Sequence, residues 1–277
     1  MKRVLIIVTV ILLLFLYSNF TVGVSDYTAE ISDLPEKFHG YRILQLSDLH
    51  NRRYPFLMAK IERESPDIVV MTGDMVSTHD ADFTPFLTLA EKVAKRFPTY
   101  YIVGNHEQAL PDGKYSELMQ KLGDIGVHIL DNQMVRIERE DDKLNLFGLW
   151  FNLRYYRDKN DADTADYIVR AQTLNQILGA APEGVNILLS HNPICFDAYA
   201  GWGADLTLCG HMHGGMIRIP GFGGLLSPEK EYFPEFDAGK FANEDSTMIV
   251  SRGLGEHTGF RILNRPEIVV VNLQKKG

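Results

Sequence analysis

Apolar and polar positions follow two rhythms along this chain. RILQLS (42–47), DIVVMT (67–72) and TYYIVG (99–104) are short apolar runs that read as strands. FLMAKIERES (56–65) and FTPFLTLAEKVAKRF (83–97) lie between them, with apolar residues three and four apart, the spacing of amphipathic helices. Strand, helix, strand, helix, strand predicts parallel strands joined by right-handed crossovers. VHIL, MVRIER and LNLFGLW follow as further strands, with DNQ and DDK as turns. A helix is expected near Asp163–Leu178, then strands at NILLSH (186–191), ADLTLCGH (204–211), STMIVS and PEIVVVNL. The pattern predicts an α/β domain of two sheets packed face to face with helices outside.

The N-terminus breaks this pattern. Lys2 and Arg3 precede fourteen uncharged residues, Val4 to Tyr17, and SNFTVGV extends the run to Val24. Fourteen is fewer than the ~20 residues that usually span a bilayer, so the extension matters. The run is apolar on all faces and no clear small-residue cleavage site follows, which favours an uncleaved signal anchor over a cleaved signal peptide. Basic residues before it and Asp26, Glu30 and Asp33 after it place the N-terminus inside and the domain outside the cytoplasm. The expected organisation is therefore an anchor at 1–24, a lead-in at 25–40 and a catalytic domain at 41–277.

Composition narrows the function classes. The net charge of −8 argues against a nucleic-acid partner. Two cysteines, Cys195 and Cys209, cannot make a disulfide framework and read as small core residues.

The polar residues carry the chemistry. RILQLS runs into Asp48-Leu49-His50, DIVVMT into Gly73-Asp74, and TYYIV into Gly104-Asn105-His106-Glu107. NILLS runs into His191, and ADLTLC into Gly210-His211-Met212-His213. Ligands of open α/β sheets bind beyond the carboxyl ends of strands, where these residues lie. Singly, each has an ordinary explanation: Asp48 as a helix cap, Asp74 and Asn105 as turn residues, His191 as a core histidine. Together they hold five of the nine histidines in the chain. Beyond His106 the set contains two aspartates, one amide oxygen and four histidines, which suits two ions sharing a bridging carboxylate better than one tetrahedral ion. In an extended CGHMHGG segment, His211 and His213 would face the same side and Met212 the other. The flanking glycines would leave room for a phosphate. Arg52, Arg53 and Arg252 are candidate phosphate contacts or solvated surface residues. His39, His79, His128 and His257 read as surface or loop histidines. GFGG (221–224) lacks a following Lys-Ser/Thr and reads as a turn-rich loop at the rim of the site.

SDLH, GD, GNHE, a separate His followed by Asn-Pro, and GHMHGG stand here in the order of the calcineurin-like metallophosphoesterases, and the chain resembles that superfamily over most of residues 41–273. PGFGGLLSP, YFPEFDAGKF, SRGLG and NRPEIVVVNL look like its membrane-associated or exported bacterial subgroup, which includes phosphodiesterase-like enzymes and hydrolases of UDP-2,3-diacylglucosamine. The resemblance implies a four-layer fold and two divalent ions among Mn, Fe, Zn and Mg. Asp48, His50 and His213 would hold one ion, Asn105, His191 and His211 the other, and Asp74 would bridge. His106 would contact the phosphate and protonate the leaving oxygen. Glu107, where the family commonly has aspartate, would orient His106. The reaction implied is hydrolysis of a phosphodiester or pyrophosphate, with a lipid or envelope phosphate suggested by the anchor. Two cations ~3.5–4 Å apart can clamp the attacking and leaving oxygens of an in-line displacement. They would also neutralise the substrate, which reconciles a phosphate ester with an acidic chain.

Overall fold

A computed structural model of the chain describes residues 2–152, 169–215, 217–228, 231–255 and 261–277. Helix α1 (Lys2–Phe20) leads into strand β1 (Gly23–Ile31), then β2 (Arg42–Leu46), α2 (Leu57–Glu64), β3 (Ile68–Thr72), α3 (Thr84–Ala94) and β4 (Thr99–Ile102). Next come α4 (Asn105–Gln108), α5 (Asp112–Asp124), β5 (His128–Ile129), β6 (Met134–Arg139) and β7 (Asp142–Leu149). The second half carries α6 (Ala171–Leu178), β8 (Asn186–Ser190), α7 (Phe196–Trp202), β9 (Leu206–Cys209), the hairpin β10 (Arg218–Ile219) and β11 (Gly223–Gly224), β12 (Gly239–Asn243), β13 (Ser246–Val250) and β14 (Glu267–Lys275). Residues 163–168 of the expected helix at 163–178 lie outside the described residues; Ala171–Leu178 of it is helical, as α6.

Two mixed six-stranded sheets, β1-β14-β2-β3-β4-β5 and β12-β13-β9-β8-β7-β6, form the centre. Strands β2 to β5 run parallel, as do β7, β8, β9 and β13. Alternation along each strand builds three apolar layers. Ile68 and Val70 of β3 face Ile187 and Leu189 of β8 in the layer between the sheets. Val69 and Met71 point outward into a layer with Ile61, Phe86, Val93 and Leu118 of the first helix group. Leu188, Met248 and Val250 point the other way, against Leu174, Tyr199 and Trp202. A strand covered on both faces reads as a continuous apolar run, which is why these strands stand out in the sequence. The result is helices, sheet, sheet, helices.

Part of the stretch read as a lead-in is structural. Gly23–Ile31 pairs in parallel with Glu267–Lys275 along its whole length and closes one edge of the first sheet. Helix α1 precedes it, with nearly all its apolar side chains exposed and only Ser18 and Asn19 buried. At 19 residues it is about 28 Å long, close to the thickness of a bilayer's hydrocarbon core.

Candidate metal centre

The carboxyl ends of β2, β3 and β4 meet those of β8 and β9 at one end of the double sheet. Gln45 of β2 ties the sheets together there, donating to Thr72 Oγ1 and to the Cys209 carbonyl, both at 2.8 Å. The expected residues follow these strands directly. One potential ligand atom from each of Asp48, His50 and His213 falls within 4.8 Å of the others, and the same holds for Asp74, His191 and His211. His191 sits between the two aspartates, its Nε2 3.2 Å from Asp74 Oδ2 and 3.8 Å from Asp48 Oδ1. His213 Nε2 lies 3.3 Å from His50 Nε2 and 3.6 Å from Asp48 Oδ1. His106 shares a third such cluster with His50 and Asp74. Asn105 opens α4, and its side-chain oxygen is buried without a hydrogen-bond partner.

The route by which the histidines reach the site corrects the extended-segment reading. Strand β9 ends at Cys209, and His211 (φ 72°) and His213 (φ 52°) are both in the left-handed region. Asp48 (φ 51°), His50 (φ 46°) and Asp74 (φ 51°) share it. A left-handed L-residue costs roughly 1–2 kcal/mol, and such strain gathers at functional sites. The side chains therefore converge through turns, not through a pleat. Met212 does point away, into the apolar layer beside Trp202, although not by strand alternation.

The flanking glycines also serve a different end from that expected. A Cβ at Gly210 would lie 2.0 Å from Ser47 Oγ and 2.4 Å from Asp48 Oδ2. A Cβ at Gly215 would lie 2.6 Å from the Gly224 Cα. Their bareness lets neighbouring chain pack against the site; the space goes to protein, not to phosphate.

Burial sets the electrostatics. It pushes the Asp48 carboxyl up to about 6, against the attraction of His191 and with the help of the Asp74 charge. Burial also pushes on Asp74, but the attraction and hydrogen bond of His191, with His106 and His50 beyond, hold it well below the carboxylate range. His191 is the counterpart: burial lowers it, yet Asp74 and Asp48 raise it to about 10. Burial, then His50 and Arg261, keep His213 neutral, the form that binds metal. A proton on His191 thus occupies the place of a cation between two buried carboxylates. The Asn105 oxygen adds an acceptor shut away from water, unfavourable by about 1–3 kcal/mol until a cation or donor meets it. These residues fit divalent metal, and the cluster can hold two ions.

Supporting contacts fix the rings. His191 Nδ1 donates to the Thr72 carbonyl at 2.6 Å, which leaves Nε2 as its ligand atom. His50 Nδ1 lies 3.1 Å from Ser77 Oγ. The Thr78 backbone N–H donates to His106 Nδ1 at 3.2 Å, so the neutral ring carries its proton on Nε2. Glu107, expected to orient His106, is engaged with the backbone around Asp74. Its buried carboxylate accepts from the backbone N–H groups of Gly104 (2.8 Å), Asp74 (2.9 Å), Met75 (2.7 Å) and Val76 (3.1 Å). Near the start of α4 its side chain folds back across the Asp74 loop, and the extra methylene relative to aspartate gives it that reach.

The remaining candidates sort readily. Arg252 is committed to buried Glu267, its Nε 2.8 Å from Oε2. Arg52 stacks over Tyr54 and, with Arg53, lines a cavity of 470 Å³ shared with Phe56 and Lys92. GFGG forms the β10–β11 hairpin against Gly215. Cys209 is core, and Cys195 packs against the same layer with its thiol pushed up to about 12 by burial. His39, His79 and His128 are exposed, and His257 lies outside the described residues. Three contributors had no signal at motif spacing. Thr78 and Ser77 sit in a polar turn after Asp74, and fully buried Arg261, whose guanidinium lies 3.5 Å from His213 Nδ1, follows the last motif by dozens of residues.

The chain is similar to several known proteins. The calcineurin-like phosphoesterase family matches residues 41–215. The phosphodiesterase YaeI of Escherichia coli (strain K12) is 26% identical over 243 residues, covering 84% of this chain and 82% of that protein. The UDP-2,3-diacylglucosamine pyrophosphatase LpxG of Chlamydia muridarum is 25% identical over 282 residues, covering 86% of each. The crystal structure of a phosphopantetheinyl hydrolase from Mycobacterium tuberculosis superposes with a TM-score of 0.47 at 11% identity, covering 77% of this chain and 89% of that one. The matched span is more than half of the chain and contains all the clustered residues, from Asp48 to His213, and the chain belongs to the calcineurin-like phosphoesterase family.

Proposed function

We propose that the protein is a membrane-anchored, dinuclear metal-dependent hydrolase of phosphodiesters or pyrophosphates, acting on a lipid or cell-envelope phosphate. One observation carries the reading: Asp74 belongs both to the cluster with His191 and His211 and to the cluster with His50 and His106. Asp48, His50 and His213 would hold one ion, Asn105, His191 and His211 would hold the second, and Asp74 would serve both. Two bound ions would supply Lewis acidity toward phosphoryl oxygens and a nucleophilic water at neutral pH.

The chain's own residues do the rest. Asp74 Oδ1 accepts the His106 backbone N–H at 2.8 Å, which fixes the ring beside the cluster. Thr78 holds Nδ1 as an acceptor, so Nε2–H is the hydrogen bond that His106 would offer to a phosphoryl or leaving oxygen. Glu107 keeps the Asp74 loop rigid against Gly104. The lipid preference draws on α1, read as an uncleaved anchor with the domain outside the cytoplasm, and on the lipid-linked substrate in the name of LpxG.

The test is release of p-nitrophenol from bis-p-nitrophenyl phosphate and from the monoester, with Mn²⁺ added. Diester turnover that depends on metal supports the reading. Faster monoester turnover would move the protein to the phosphomonoesterases. No turnover by folded, metal-loaded protein would leave a metal-bearing phosphate-binding scaffold as the better description.

A further inference from the structure

Among the exposed large apolar side chains outside α1, five fall on one hydrogen-bonded unit. Phe222 is 77% exposed and Tyr232 71%, and Phe233, Ile262 and Leu263 are exposed with them. Scattered singly, such residues mean nothing; clustered, they mark a surface that meets something apolar. Ile262 bridges to Ile217, and its carbonyl accepts the Arg218 N–H at 3.1 Å. Phe222 sits in the turn of the β10–β11 hairpin. Leu225 N–H bonds the Ile217 carbonyl, and Phe233 N–H bonds the Leu225 carbonyl.

This unit is fastened to the end of α1. The Asn19 side chain both donates to the Arg261 carbonyl at 2.9 Å and accepts the Arg261 N–H at 2.7 Å. Ile262 and Leu263 follow immediately. Arg265 closes the junction, its guanidinium 4.9 Å over the Tyr17 ring and bonded to the Val22 carbonyl at 2.8 Å. An arginine and a tyrosine at the end of an apolar helix are the usual anchors of a membrane interface. The same unit borders the metal cluster: Arg218 donates to the Gly214 carbonyl at 3.1 Å and Asn264 to the His213 carbonyl at 2.6 Å.

We infer that the face made by residues 217–228, 231–233 and 261–263 lies in the bilayer interface, with Phe222, Tyr232, Phe233, Ile262 and Leu263 as its lipid-contacting side chains. The occupant is lipid, because the face continues directly from a helix whose exposed apolar side chains need the same partner. The paired hydrogen bonds from the Asn19 side chain to the Arg261 backbone leave no slack between them, so the face stands at the depth where α1 leaves the hydrocarbon. The metal centre is then held at the headgroup layer, and a lipid phosphate reaches it without leaving the membrane. The inference rests on reading α1 as a retained anchor.

Full-length protein reconstituted into phosphatidylethanolamine–phosphatidylglycerol vesicles with brominated acyl chains provides the test. Phe222→Trp and Tyr232→Trp serve as depth reporters, after subtraction of the emission of the native Trp150 and Trp202. Lys143→Trp, near the amino end of β7 and so at the opposite end of the sheet, is the reference. The expected result is severalfold stronger quenching at 222 and 232 than at 143. Vesicle flotation separates the two readings. Protein that floats but shows equal quenching at all three positions overturns the docked face and leaves the anchor standing. Protein that fails to float overturns both. Quenching relieved only by a co-purifying protein would assign the face to a protein partner and overturn the lipid inference.

Discussion

Replacing Glu107 with glutamine separates the clamp seen here from the conventional role of orienting a catalytic histidine. The carboxylate accepts four backbone N–H groups, two on each oxygen. An amide keeps one acceptor oxygen and turns an NH₂ toward the other two donors. Two buried N–H groups then lose their partner at about 1–3 kcal/mol each, and the surviving pair loses charge assistance. The expected destabilisation is about 3–5 kcal/mol. At roughly 2–4 °C per kcal/mol for a domain near this size, the melting temperature should fall by about 6–20 °C.

The discriminating readout is the pH profile. Glu107 bonds the Asp74 loop and Gly104, so Glu107→Gln should weaken metal binding and lower kcat while the titration assigned to His106 stays in place. Glu107→Asp should be intermediate, since a shorter side chain keeps Gly104 and Asp74 and loses reach toward Met75 and Val76. Differential scanning calorimetry and a pH–rate series on metal-saturated protein measure both quantities. A variant with unchanged melting temperature and a shifted His106 titration would refute the clamp.

Three further outcomes are expected. His106→Ala should reduce diester turnover by about 10²–10⁴-fold with bound metal unchanged by elemental analysis, and an unaltered rate would remove His106 from catalysis. Metal affinity should weaken as pH falls, because His191, raised to about 10 by its aspartates, must release its proton to coordinate, and below about 6 protons on Asp48 compete as well. Between those limits roughly tenfold per pH unit is expected for one proton, with release visible by calorimetry in buffers of different ionisation enthalpy; binding at pH 8 without proton release would contradict it. Gly210→Ala should lower metal affinity at least tenfold by pushing Asp48 aside, whereas Gly113→Ala, with nothing within 4 Å of the added carbon, should be neutral or stabilising by up to about 1 kcal/mol; equal effects on metal binding would refute the steric argument.

How much of this was legible in the sequence follows from what each element buries. Strands β3, β8 and β9 are covered on both faces, so apolar runs announce them and the polar residues that end them stand out. Strand β1 lies at a sheet edge, and GVSDYTAEI carries the two charges, Asp26 and Glu30, that such a position tolerates. Helix α5 buries only Leu118 and Leu122 and α7 is seven residues long, so neither has a periodicity strong enough to assign. Residue types and strand order located the cluster because metal chemistry restricts both. The left-handed backbone at His211 and His213 was hidden, since in sequence only glycine advertises positive φ and here the strained residues are the ligands themselves. Glu107, through Asp74 to Val76, and Arg261, through Asn19 and His213, act on groups distant in sequence, where local spacing carries no information.

Those hidden features share one physical cause. Five would-be ligands in left-handed conformations and two buried carboxylates make a site that is unfavourable by itself. The surroundings hold it in place: Glu107 collects the N–H groups of the Asp74 loop, the His211 N–H reaches Asp48 at 3.0 Å, and glycines at 104 and 210 admit the carboxylates at distances that any Cβ would close. Because this preorganisation is carried by the protein, a cation would meet ligands already ordered, losing its own water and displacing the His191 proton to solvent. The Asn19–Arg261 junction extends the same logic to the end of α1, since Arg261 spans from Asn19 to His213 within one residue. Residues 2–20 are therefore joined to the metal centre by hydrogen bonds as well as by chain connectivity, and the helix is part of the architecture that positions His213.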